Sequence, residues 1–138
     1  MNPDCVVVDA NIAFKALARQ AGHLRSRLRP ADRPKLFGPR FLFVELFKHK
    51  ERLALASRLT EDDLLAALHT LTNALEFVNE ADIPIGTWME AHRLCRDVDE
   101  KDTPYVALTL HLDGRLWTDD EELIEALRAK GFQELFVP

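Results

Sequence analysis

Three features of the chain predict an α/β domain of three layers, with a five-stranded, mostly parallel sheet flanked by helices. Short apolar runs alternate with stretches of helical periodicity along the 138 residues. Helix start and stop signals separate them, and no repeat, low-complexity tract or linker breaks the order. Strands separated by helices favour parallel pairing and a sheet covered on both faces. A chain of this length suits one domain with its own core, residues 1–138.

The first strand is expected over Cys5 to Asp9. Asn11 then suits the cap of a helix reaching about Ala21, since its side-chain oxygen can accept from first-turn amides. Leu36-Phe37-Gly38 reads as a short second strand. Pro39 fits a first helical turn, and Phe41, Val44, Leu46, Phe47 and Leu53 supply an apolar stripe for a helix to about Ser57. Thr60 before Glu61-Asp62-Asp63 is the start signal of a helix to about Ala74, and Leu75 to Val78 is the third strand.

After the Pro84/Gly86 break, Thr87 to Asp97 reads as helix. Asp102-Thr103-Pro104 combines a cap residue with an early proline and announces the helix Tyr105 to Leu112, which Asp113-Gly114 ends. Arg115 to Thr118 is the fourth strand, Asp120 to Lys130 a helix stopped by Gly131, and Gln133 to Val137 the fifth strand.

The composition, 47% hydrophobic and 30% charged, contains no apolar run near the roughly 20 residues of a membrane span, so a soluble protein is expected. The start Met-Asn-Pro-Asp-Cys enters a strand directly and lacks the regions of a signal peptide. Cys5 and Cys95 have neither disulfide-rich nor zinc spacing, and a reducing cytoplasm is the expected setting. The net charge of −5 is unevenly spread: residues 1–52 carry +6 and residues 53–138 carry −11. The basic run Arg25, Arg27, Arg29, Arg33, Lys35 and Arg40 is either a phosphate-tracking segment or a solvated surface loop.

Four acids fall on four separate elements: Asp9 closes an apolar strand, Glu45 lies early in a helix, Asp102 precedes another, and Asp120 follows Leu116-Trp117-Thr118. In a parallel sheet the helices run back against the strands, so helix N-termini gather where strand C-termini end. All four acids belong to that edge, Glu45 about 9 Å into its helix. Ligand clefts of open α/β sheets form on this side. Clustered carboxylates raise one another's pKa, and a cation is needed to hold several ionised together. Oxygen-only ligands favour Mg²⁺ or Mn²⁺, and the chemistry suggested is metal-assisted hydrolysis of a phosphodiester.

Taken singly, Asp102, Asp119 and Asp120 also fit plain helix caps. Glu45 and Asp9 fit that reading less well, one amid Phe41 to Phe47 and the other after three valines, where a carboxylate needs a partner or a cation. His49, His69, His92 and His111 lack the pairing of a zinc site, and His23 lies in the basic stretch. Trp88 and Trp117 suit core or interface. A second aspartate two residues after the first, as haloacid-dehalogenase phosphotransferases require, is replaced by Asn11. A receiver-type signalling domain would need a phosphoacceptor Asp where Val78 is followed by Asn79 and Glu80. Neither a Gly-rich phosphate loop nor a serine elbow is present.

Val-Val-Val-Asp-Ala-Asn at 6–11, Phe-Val-Glu-Leu at 43–46, Asp-Thr-Pro-Tyr-Val-Ala-Leu-Thr-Leu at 102–110 and Leu-Trp-Thr-Asp-Asp-Glu-Glu-Leu at 116–123, in this order and spacing, resemble a PIN domain. That is the small metal-dependent nuclease fold found in the toxins of bacterial toxin-antitoxin pairs. The resemblance spans nearly the whole chain. It implies that Asp9, Glu45, Asp102 and Asp120 form the acidic quartet, supported by Asn11 and Thr118, with Asp99 and Asp119 as alternative or additional ligands. It also implies a five-stranded parallel sheet and an RNA substrate. Asp9, Asp102 and Asp120 would hold one or two Mg²⁺ or Mn²⁺ ions while Glu45 binds metal or orients the attacking water, and Lys15, Arg19 and Arg40 would bind phosphates beside the cleft. A metal-dependent ribonuclease, toxin of such a pair, is expected; a PIN-like binding module that cleaves nothing is the alternative. An antitoxin protein and a homodimer through the helices at 41–57 and 60–74 are the partners to look for.

Overall fold

Val6, Val7 and Val8 are fully buried in β1 (Cys5–Val8), because helices cover both faces of the sheet to which the strand belongs. The computed structural model describes residues 4–18, 35–57 and 60–137. Arg19, His23, Arg25, Arg27, Arg29 and Arg33, and the predicted helix end at Ala21, lie outside the described residues. β2 (Lys35–Pro39), β3 (Glu76–Val78) and β4 (Arg115–Trp117) complete a parallel sheet in the order β3-β2-β1-β4. The register sets Val7 opposite Phe37 on one side of β1 and opposite Leu116 on the other.

The described helices are α1 (Ala10–Ala18), α2 (Arg40–Lys48), α3 (Lys50–Ser57), α4 (Glu61–Ala74), α5 (Ile85–Cys95), α6 (Thr103–Leu112) and α7 (Glu121–Ala129). Short 3-10 turns at Glu80–Asp82 and Glu100–Asp102 precede α5 and α6. α1 packs with α2, α3 and α4, while α6 lies against β1, β2 and β4 and carries α5, which also meets α7. The core runs from Val6–Val8 through Leu42, Leu46 and Leu64 on one side and Val106, Leu108, Leu123 and Leu127 on the other. No described helix is long and apolar enough to cross a membrane.

Four expectations change. The fifth strand, Gln133–Val137, reduces to one parallel bridge between Leu135 and Leu116, so the sheet has four strands among the described residues. Two hydrogen bonds, from the Leu116 N–H to the Glu134 carbonyl and from the Phe136 N–H to the Leu116 carbonyl, hold this segment beside β4 without extending a ladder. The helix expected from Pro39 to Ser57 breaks at His49 into α2 and α3, and Pro39 ends β2 instead of opening a helix. The stripe facing the core is Leu42, Leu46 and Leu53, leaving Phe43, Val44 and Phe47 about half exposed. α1 starts one residue before Asn11, and its cap is Asp9.

Other signals act as read. The Thr60 hydroxyl accepts from the Asp63 N–H at 3.1 Å and caps α4. Asp113 ends α6 in the left-handed region (φ 52°), and Gly131 (φ 89°) stops α7. Gly114 is required by crowding: a Cβ there would stand 2.5 Å from the Cys5 carbonyl oxygen, so the turn into β4 passes against the start of β1.

Candidate active site

β2 and β3 extend the sheet to one side of β1 and β4 to the other, so the chain reverses direction across the sheet between β1 and β4. Parallel strands put their C-terminal ends on one edge, and in open α/β sheets ligand clefts form at such a reversal. Asp9 follows β1 directly, its N–H donating to the Trp117 carbonyl of β4 at 3.2 Å. Thr118, Asp119 and Asp120 follow β4. The two strand ends thus hold Asp9 beside the Thr118–Asp120 segment.

Asp9 is 4% exposed. Its Oδ1 accepts the Ile12 N–H at 2.9 Å, which anchors the carboxylate to the first turn of α1. Burial pushes its pKa up to about 6, against the pull of the Thr118 hydroxyl and the Ile12 N–H, with Asp119 and Asp120 adding upward pressure. Thr118 is buried and accepts from the Asp120 N–H at 3.1 Å. One hydroxyl therefore joins Asp9 to the start of α7. Asp120 caps α7, its Oδ1 accepting from the Leu123 N–H at 3.2 Å. Asp119 is more exposed and is ion-paired with Lys15 of α1. Both aspartates raise the Asp9 pKa, Asp119 ahead of Asp120, and Asp120 also acts on Asp102.

Asp102 ends the second 3-10 turn and enters α6, half-buried, without making a side-chain cap bond. Its Oδ2 is buried with no hydrogen-bond partner. Burial, then the charges of Asp99, Asp120, Asp9 and Glu45, push its pKa up to about 7. The electrostatics bring together the acids that lie far apart in sequence. Glu45 reaches this neighbourhood half-buried from α2. Asp99 is exposed and accepts from the Lys101 N–H at 2.9 Å, so it caps the 3-10 turn and acts on Asp102 through its charge. Asn11 is exposed in the first turn of α1, Arg40 is exposed at the start of α2, and Arg19 lies outside the described residues.

Among the described residues no group of three or more His, Cys, Asp or Glu side chains stands in metal-holding geometry. The donor set nevertheless suits a hard divalent cation. It is made of carboxylates, one of which has a buried oxygen without a partner, and two of which resist ionisation through burial and the charge of their neighbours. Cys95 offers no competing nucleophile, since burial pushes its thiol up to about 12. Trp117 is core, tilted against Phe136 with ring centroids 5.3 Å apart.

Two residues of this edge escape sequence reasoning. Glu80, just after β3, accepts the N–H groups of Arg40 (3.1 Å) and Phe41 (2.9 Å) through its two carboxylate oxygens. It is the cap of α2 that Pro39 cannot be, supplied from another element and matched to the positive end of the helix. Its only sequence signal is an acid just past a strand end. Glu80→Ala is expected to lower stability by about 1–2 kcal/mol in urea unfolding, the usual loss for a helix cap; an unchanged midpoint would deny the cap. The other is Tyr105, 3% exposed on α6, with a buried hydroxyl that has no partner.

No curated protein matches the chain. A family model described as PIN domain matches residues 7–135. Its span takes in β1 with Asp9, the α2 acid, the Asp102 turn and the β4 end with Asp120, the elements whose acids act on one another. By that match the chain belongs to the PIN domain family, a nuclease-type fold.

Proposed function

We propose that the protein is a metal-dependent ribonuclease, with Asp9, Glu45, Asp102 and Asp120 as its acidic site. The observation that carries this reading is the buried, partnerless Asp102 Oδ2 beside carboxylates from three other elements. Asp9, Asp102 and Asp120 would hold Mg²⁺ or Mn²⁺, and Glu45 would bind the ion or orient the attacking water. When bound, the ion supplies charge neutralisation at the phosphodiester and a lowered pKa for water. Thr118 and the Ile12 N–H fix Asp9, while the α7 N-terminus fixes Asp120. The test is cleavage of labelled single-stranded and hairpin RNA with Mn²⁺, Mg²⁺ or EDTA. Folded, partner-free protein that cuts nothing with either metal would be a nucleic-acid- or protein-binding PIN module instead.

A groove of about 790 Å³, lined by Trp88, Met89, His92, Arg93, Arg96 and Thr103, adjoins Asp102 through Thr103 and offers a path for the flanking strand. Arg93 is tied to Glu90, whereas the partner nearest Arg96, Asp97 at 3.8 Å, is held by Lys130 at 2.8 Å. Arg96 is therefore the looser cation. Arg96→Glu is expected to raise KM for RNA several-fold and flatten its salt dependence while sparing kcat; an unchanged KM would remove the groove from the substrate path. Lys15 and Arg40 remain candidates for phosphate contacts at the rim, Lys15 only after release from Asp119.

The toxin role rests on a surface as well as on the site. Phe43, Val44, Phe47, Leu55 and Leu65 are exposed on α2, α3 and α4, as a surface that takes an antitoxin or a second copy would be. Light scattering of the purified chain, alone and coexpressed with the product of its neighbouring gene, separates these. A monomer in both preparations would set the toxin role aside.

A further inference from the structure

Tyr105 sits three residues after Asp102, its ring edge-on to Phe41 at the start of α2 with centroids 6.4 Å apart. Its hydroxyl is shut off from solvent and donates to nothing. Native folds seldom keep such a donor without a use. Burial first, and then Glu45, Asp9, Asp102 and Glu80, push its pKa far above the usual phenol range. The group is therefore a neutral donor set among carboxylates.

Those carboxylates are not equivalent as acceptors. Glu80 uses both oxygens on the N–H groups of α2, and Asp9 is engaged by Ile12 and Thr118. The Asp102 Oδ2 and the phenol are both without a partner and make no bond with each other, although they share one segment. Glu45 differs: it comes from α2, is half-buried, and has three rotatable side-chain bonds. We infer that Tyr105 is a positioning residue, whose hydroxyl donates to Glu45 and holds that side chain in the rotamer that takes the divalent cation. The inference rests on the cation-binding reading of the site. It would also give the orphaned donor a use, with the phenol orienting Glu45 toward a bound cation as outer partners of metal ligands generally do.

The test is Mn²⁺ titration of the full chain by calorimetry for wild type, Tyr105→Phe, Glu45→Gln and the double variant, together with metal-free melting curves. Tyr105→Phe should bind Mn²⁺ about tenfold more weakly. The loss should vanish in the Glu45→Gln background, as a double-mutant cycle requires of a residue acting through another. Metal-free Tyr105→Phe should melt no lower than wild type, because the change removes a partnerless hydroxyl and keeps the ring. Wild-type affinity in Tyr105→Phe overturns the inference, as does a loss that persists beside Glu45→Gln, or a metal-free Tm well below wild type. Wild-type protein that binds no Mn²⁺ overturns the cation reading and the inference together. If these signatures hold in protein that cuts no RNA, they support the inference while the nuclease reading fails.

Discussion

Asp9→Asn and Glu45→Gln are each expected to lower Mn²⁺-dependent RNA cleavage by a factor on the order of 100 or more, with the fold intact. Both changes keep the size of the side chain and remove only its charge. Asn at position 9 retains an Oδ1 that can accept the Ile12 N–H, so the start of α1 and its cap survive. What is lost is the negative charge of Asp9 at the reversal between β1 and β4. Asp120 is tied to the α7 N-terminus and Asp119 to Lys15. The same assay orders those two: Asp120→Asn should resemble Asp9→Asn, and Asp119→Asn should fall within a few-fold of wild type. Cleavage that persists in Asp9→Asn and Glu45→Gln at wild-type rate, with circular dichroism unchanged, would place the chemistry elsewhere.

Asp9, Asp102 and Asp120 were legible as acids of the sheet edge because each carries a local signature. Asp9 ends three valines, Asp102 precedes Thr103-Pro104, and Asp120 follows a short strand after a threonine. A parallel sheet then sends all of them to one edge without further information. What stayed hidden is non-local or masked by composition. Phe41 to Phe47 is apolar except for Glu45, so no periodicity within it marks Leu42 and Leu46 as the buried face; only packing against α1 and β2 decides that. Helix capping at Arg40 and Phe41 comes from Glu80, 40 and 39 residues away, which no start signal near Pro39 announces. Tyr105 looks like one more apolar position in the run to Leu108, and its partnerless hydroxyl exists only once α2 and α6 are brought together. The last segment has the β-propensity of a strand, yet only Leu135 bridges to β4.

The buried carboxylates proposed to bind the ion should make the metal-free protein less stable as pH rises, and Asp9→Asn should reverse part of that loss. Asp9 ionises near 6 and Asp102 near 7 in the folded chain, against a usual value of 3.8. An acid whose pKa is raised by folding holds its proton more tightly in the native state than in the unfolded one. Its contribution is therefore fully present below about pH 4 and is lost as pH climbs through 6 to 7. For Asp9 the gap between about 6 and 3.8 corresponds to roughly 3 kcal/mol at 1.4 kcal/mol per pH unit, an upper bound because buried groups relax. Asp102 is half-buried, and solvent screening makes its share smaller. In EDTA at pH 8, Asp9→Asn should be more stable than wild type by about 1–3 kcal/mol in urea unfolding, and the difference should shrink toward zero near pH 4. Saturating Mn²⁺ should invert the order, because the ion binds the native wild-type site and stabilises it in proportion to the logarithm of its concentration over Kd. Equal stability of the two proteins at pH 8 in EDTA would mean that Asp9 is ionised at no cost in the fold. The case for a cation as the partner of these buried carboxylates would then lose its electrostatic ground.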